Sequence, residues 1–197
     1  MKIRLIALFL AFFMLPMLAQ AAGKAVTATA NSERATLLQA SAAGLNIRSN
    51  NQQYQLLSGV RAAEAKAGEQ PQQTLTRMGG GKLIETKGSF VVFSSQQTAS
   101  SVTSVNGISY PAAYNPRTGG IGIVSGNINV KLKNSGNAAA VAKDYGLEVV
   151  RVFAHLQTAF FRVKPGQDVV AVAASLAADA RVASAEIEVI ENINQPN

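Results

Sequence analysis

Few residues in this chain could do chemistry. It has one histidine, His155, and no cysteine. Thiol catalysis and cysteine-bound metal are excluded, and a single histidine leaves too few ligands for a zinc site. His155 falls in a turn between two strand-like runs, where a catalytic base would still need a nucleophile and an orienting acid. Serines are many, but none sits in a Gly-x-Ser-x-Gly elbow. Gly79-Gly80-Gly81-Lys82 has the look of a phosphate loop, yet Leu83 stands where Ser or Thr is required. Glu186 and Glu188, two apart on one strand face, could serve as general acid and base, but no pocket signature accompanies them. The sequence therefore predicts no enzyme, no cofactor and no metal. It leaves His155 as a solvent-exposed turn residue.

The elements that must position these side chains are clearest over 127–190. Asn127–Lys133 alternates, with Ile128, Val130 and Leu132 on one face and Asn129, Lys131 and Lys133 on the other. Asn134-Ser135-Gly136-Asn137 breaks the strand and can cap a helix, whose face is Ala138, Val141, Ala142 and Tyr145; Gly146 stops it. Leu147–Phe153 and Gln157–Val163 read as strands around the turn Ala154–Leu156. Lys164-Pro165-Gly166-Gln167 is a loop, and Asp168 caps a second helix with Val169, Val172, Ala173 and Leu176 at helical spacing. Val182–Ile190 closes as a strand. The order β-α-β-β-α-β predicts an α+β, ferredoxin-like domain with both helices on one face of an antiparallel sheet.

The other sheet face is then bare. If Ala159, Phe161, Val163, Ala185, Ile187 and Val189 point to the helices, Thr158, Phe160, Arg162, Ser184, Glu186, Glu188 and Ile190 point away. Val150 and Val152 join that outer set in one phase of 147–153, a strand apolar in both phases and therefore ambiguous in its facing. An outer face mixing aromatic, aliphatic and charged side chains suits a partner better than solvent; the rival expectation is that residues 82–126 fold over it.

The rest of the chain is less ordered in pattern. Lys2 and Arg4, the apolar run Leu5–Leu18 and Ala19-Gln20-Ala21 make a secretory signal peptide over 1–21. The mature protein is thus expected to be periplasmic or secreted, with no membrane contact once the signal is cleaved. Residues 22–81, rich in Ala, Gln, Ser and Asn, read as a flexible or weakly helical extension, with candidate helices over Glu33–Ala43 and Tyr54–Ala67 and a linker at Gln-Pro-Gln-Gln and the triple glycine. Residues 82–126 read as a small β-rich region: strands at Lys82–Thr86, Ser89–Phe93, Ser104–Tyr110 and Ile121–Val124, and turn chemistry at 115–120. Residues 22–126 carry nine Lys/Arg against four Asp/Glu, while seven face seven from 127 onward. The surplus is scattered, so no basic stripe for nucleic acid exists.

Residues 127–197 resemble the propeptide domain of subtilisin-family serine proteases. The resemblance rests on "INVKLK", "AVAKDYGLEVVRVF", "FFRVKPGQDVVAVAASLAADARV" and "AEIEV", four motifs in order and at matching spacing. "GGGKLIETKGSFVVF" is similar to stand-alone external chaperones of that family, which are separate from the protease they help to fold. The resemblance implies a secreted subtilase as partner in a heterodimer. It implies that Phe160, Arg162 and Ile190 contact the protease from the open face and that Glu186 and Glu188 cap the N-termini of two protease helices. The tail 191–197 would then lie extended in the substrate cleft, with Asn192, Ile193, Asn194, Gln195, Pro196 and Asn197 as the occupying residues. Two other expectations stand beside this one: a structural or adhesive envelope protein of the same fold, and an inhibitor of foreign subtilases without a chaperone role.

Overall fold

The computed structural model describes residues 35, 36, 38, 42–96 and 107–191. The chain divides into two units, Met1–Thr36 and Leu37–Asn197, and the nine strands and three helices with defined bounds all belong to the second. The expected signal peptide lies outside the described residues.

Asn50 and Asn51 both adopt left-handed conformations, φ 47° and 61°. Two such residues make the tight turn whose twist matches paired strands, and asparagine tolerates that region. They join β1 (Ala42–Ser49) to β2 (Gln52–Glu64), with Ser49 opposite Gln52. Over 42–77 this corrects the reading of a flexible or weakly helical extension, and it corrects the reading of Tyr54–Ala67 as a helix. Ala, Leu and Gln favour helix intrinsically, but β2 is clamped between strands. Leu56, Leu57, Val60, Arg61, Ala62 and Ala63 are all buried, so burial on both faces erases the alternation that marks a strand. The Gln-Pro-Gln-Gln segment is no linker either. Pro71 opens helix α1 (Pro71–Arg77), and the Gln70 N–H donates to Gln73 Oε1 at 2.8 Å. Leu75 of α1 packs with Ala63, Val91 and Phe93.

Strands β3 (Leu83–Lys87) and β4 (Phe90–Ser94) form a hairpin around Gly88, whose φ of 56° suits glycine. After β5 (Ser109–Tyr114), Asn115 closes the next turn: its Oδ1 accepts the Arg117 N–H at 3.0 Å. Then comes β6 (Ile121–Leu132), twelve residues that run unbroken through the boundary expected at 126/127. The C-terminal elements are α2 (Ala138–Asp144), β7 (Glu148–Phe153), β8 (Thr158–Arg162), α3 (Val169–Ala178) and β9 (Val182–Ile190). Asp168 caps α3, with Oδ1 accepting the Val170 and Ala171 N–H groups at 2.9 and 3.0 Å, and Gly146 ends α2 at φ 65°.

All strands pair antiparallel in one sheet of order β3-β4-β2-β5-β6-β8-β7; β1 also pairs with β2, and β9 with β6. The Val189 N–H donates to Ser49 Oγ at 3.2 Å, which brings β9 beside β1. Helices α2 and α3 share one core with the sheet. Val141, Ala142, Val169 and Leu176 pack with Ile128, Val130, Leu132, Ala159, Phe161 and Ile187. A second cluster, around Leu38, Leu57, Val60, Val92, Ile121 and Ile123, fills the N-terminal half. Arg61 lies buried there with its Nη2 donating to Ser109 O at 2.8 Å, and burial pulls its guanidinium down to about 10.

Candidate partner-binding face

Strand pairing decides which side chains share a face. Phe160 lies opposite Asn129 and Arg151, Arg162 opposite Asn127 and Glu148, and Thr158 opposite Lys131 and Phe153; on the far side of β6, Asn129 pairs with Glu186 and Lys131 with Ser184. These residues line the sheet face away from α2 and α3. Ala159, Phe161 and Val163 on the other side are buried. Of the segment 82–126 that was the rival candidate to cover this face, β5 continues the sheet beside β6, and residues 97–106 lie outside the described residues.

The structure changes the membership of this face at β7. The expected outer valines, Val150 and Val152, are not both there. A bulge between Val149 and Arg151 shifts the phase, so Val152 stands opposite the buried Ala159, on the helix side, and Val150 takes the bulge. Arg151 and Phe153 occupy the open face in their place. Phe153 meets Phe160 edge to face at 5.8 Å, Arg151 lies 5.5 Å over the Phe153 ring, and His155 packs against the same ring at 6.4 Å. No sequence alternation could report this cluster, because β7 is apolar in both phases and the bulge is a property of its pairing with β8. On this edge strand Val149 and Val150 remain 41% and 43% exposed.

A polar row crosses the face beside the aromatics. Arg162 Nε donates to Asn127 Oδ1 at 3.1 Å, and its Nη1 lies 3.7 Å from Glu148 Oε2. Asn127 Nδ2 donates to Glu188 Oε2 at 2.8 Å, and Ser125 Oγ donates to the same oxygen at 2.5 Å. Glu188 is thus held through one oxygen. The Glu186 side chain, two residues away, has no hydrogen bond or ion pair among the described residues. Ile190 does not join the face; it pairs with Ile123 and packs on the second core cluster.

Glu191, which follows β9, was expected as the first residue of a tail. Its carboxylate accepts from Tyr54 OH at 3.0 Å, from Asn115 Nδ2 at 2.8 Å and from Thr118 Oγ1; its backbone oxygen accepts from Lys87 Nζ at 2.8 Å. Burial pushes the carboxyl up, but the bonds from Thr118, Asn115 and Tyr54 together carry it below its ordinary value. Tyr54 is pushed up, first by burial and then by its bond to Glu191. Residues 192–197, named as the cleft-occupying tail, lie outside the described residues.

Among the described residues no cluster of His, Asp and Glu could hold a metal ion, and no helix is long and apolar enough to cross a membrane. The sequence profile of the family described as Open reading frame 2 N-terminal domain matches residues 27–196. No curated protein matches. A solved chain from the crystal structure of Aeromonas sobria serine protease (ASP) and the chaperone (ORF2) complex is similar at 26% identity, over 49% of this chain and 100% of that one. The TM-score of 0.38 is too low for that superposition to bear on the fold.

Proposed function

The chain belongs to the Open reading frame 2 N-terminal domain family, and on that premise we propose that it is a non-enzymatic chaperone of a secreted subtilisin-family serine protease, acting in the periplasm or outside the cell. The observation that carries the reading is the open face of β6–β9. It presents Phe153 and Phe160 beside Arg151, Arg162 and Lys131, with the Glu186 carboxylate unbonded among the described residues and the aromatic rings half-buried. Aromatic and arginine side chains in one patch are what protein interfaces concentrate at their centres. The strand order β9-β6-β8-β7, with a helix in each crossover, supports reading this half as a ferredoxin-like propeptide domain, in line with the motif resemblance of 127–197.

The acidic pair faces helix N-termini of the partner in this reading. A helix start offers free N–H donors and a partial positive charge, and a carboxylate there contributes roughly 0.3–1 kcal/mol at an exposed site. Glu188 arrives with Oε2 already fixed and Oε1 free; Glu186 selects its orientation on binding. Phe160 and Arg162 supply the neighbouring contacts, and 192–197 enter the substrate cleft by strand addition, which inhibits the enzyme. A partner that binds only the folded protease stabilises it by mass action, so assistance and inhibition arise from one interface.

The test is refolding. A denatured subtilase catalytic domain from the same source is diluted with and without the mature chain, and recovered activity and complex formation are followed. Recovery only with the chain present, and inhibition when it is in excess, is the expected result. Rescue without inhibition removes the role of the tail. A complex without rescue leaves an inhibitor alone, and neither complex nor rescue leaves an envelope protein of the same fold.

A further inference from the structure

The N-terminal half has no role in the interface above, yet it grips one residue next to it. Glu191 leaves β9 and is met by β2 through Tyr54, by the β5–β6 turn through Asn115 and Thr118, and by β3 through Lys87. Tyr54 and Asn115 are 4% and 1% exposed, so these donors are fixed by packing and not by chance surface contact. Asn115 is itself held: its Nδ2 also donates to Gln52 Oε1 at 2.7 Å, and its Oδ1 closes the turn. Lys87 Nζ bonds the Ile121 carbonyl as well, tying Glu191 to the start of β6. The space is built for this carboxylate. A Cβ on Gly120 would lie 2.6 Å from Glu191 Oε1 and 3.4 Å from its Cδ, so any side chain there would displace it.

We propose that Tyr54 of β2, Lys87 of β3 and Asn115 and Thr118 of the β5–β6 turn form a frame that aims the chain beyond Glu191, with Glu191 a positioning residue held by these four. The proposal rests on the reading that 192–197 occupy the protease cleft. A segment entering a partner's cleft must be ordered residue by residue, and that cost falls when its first residue is already fixed. A segment held at its root would also meet a cleft engaged by the open face at a higher effective concentration.

A mutational cycle separates aiming from simple stapling. Four mature proteins are compared: the parent, the parent ending at Glu191, Tyr54→Phe/Thr118→Val, and that double variant ending at Glu191. Tyr54→Phe keeps the buried ring and Thr118→Val the branched shape, so each removes a donor. The readouts are the inhibition constant against the mature protease and the thermal midpoint of each free protein. In the parent, removing 192–197 should weaken inhibition at least tenfold; in the double variant the same removal should cost threefold or less. Any loss of stability falls equally on both members of each pair and cancels. An equal loss in both backgrounds would overturn the positioning role while leaving the tail reading intact. No loss in the parent would overturn the tail reading, and the positioning role with it.

Discussion

Phe160 and Phe161 are neighbours in β8 with opposite surroundings, and their alanine variants should fail in opposite ways. Phe161 is fully buried among Ile128, Val130, Val141 and Leu176. Truncating such a side chain removes its transfer energy and leaves a cavity, about 3–5 kcal/mol in total. Against a whole stability of roughly 5–15 kcal/mol, that is a large fraction. Phe160 is half-buried on the open face, and its principal partner is the Phe153 ring at 5.8 Å and 78°. Losing that edge-to-face pair costs the free protein about 0.5–1.5 kcal/mol. If the face is an interface with Phe160 near its centre, binding should lose at least about 2 kcal/mol, roughly thirtyfold in affinity. The chain has no tryptophan, so urea unfolding is followed by far-ultraviolet circular dichroism, and affinity by inhibition of the mature protease. The expected pattern is a large drop in stability for Phe161→Ala, and a small drop in stability with a large drop in affinity for Phe160→Ala. Unchanged affinity in Phe160→Ala would refute the assignment of the open face. A mild Phe161→Ala would refute the assignment of the core.

Asp168→Ala removes both cap bonds of α3 and should lower stability by about 1 kcal/mol, with Asp168→Asn retaining most of it; urea midpoints decide. Glu69 receives Arg77 through two nitrogens at 2.9 and 2.8 Å and the Lys66 N–H at 2.7 Å, and these bonds, Arg77 first, hold its carboxyl down from 4.5 to about 2. A depressed carboxyl contributes stability that is present above its unfolded value and lost as pH falls toward the folded one. Thermal midpoints should therefore fall more steeply between about pH 4.5 and 2 in the parent than in Glu69→Gln, and the two curves should converge near the lower end. Gly122→Ala places a methyl group against Val189 and the Tyr54 ring; a lowered thermal midpoint is expected, and an unchanged one would mean β9 sits further from β6 than described.

The C-terminal half was legible because its signals are local. Asp168, Gly146 and the alternation of Asn127–Lys133 each fix an element without reference to the rest of the chain. The N-terminal half was not, because its elements are defined by distant partners. β2 carries helix-favouring residues and no period, and it becomes a strand only through β1, β4 and β5. Two signals were nonetheless present: Asn50-Asn51 as a tight turn, and Pro71 with Gln73 as a helix start. On the candidate face, Phe160, Arg162, Glu186 and Glu188 follow from alternation, whereas Arg151 and Phe153 depend on a bulge and Ile190 on the second core. Glu191 gave no sign of its importance, since its donors lie up to 137 positions earlier in the chain.

That separation governs the order of assembly. β1 and β2 are made early, but β1 finishes against β9, and Tyr54 of β2 waits for a residue that follows β9. β6, the strand common to both halves, has β9 along most of its length. While the chain is still emerging from the ribosome, its first hairpin has no completed surface to rest on, and long-range pairing of this kind is slow. A protein proposed to hasten the folding of another thus depends, for its own fold, on contacts of β1 and β2 that cannot close until β9 is in place.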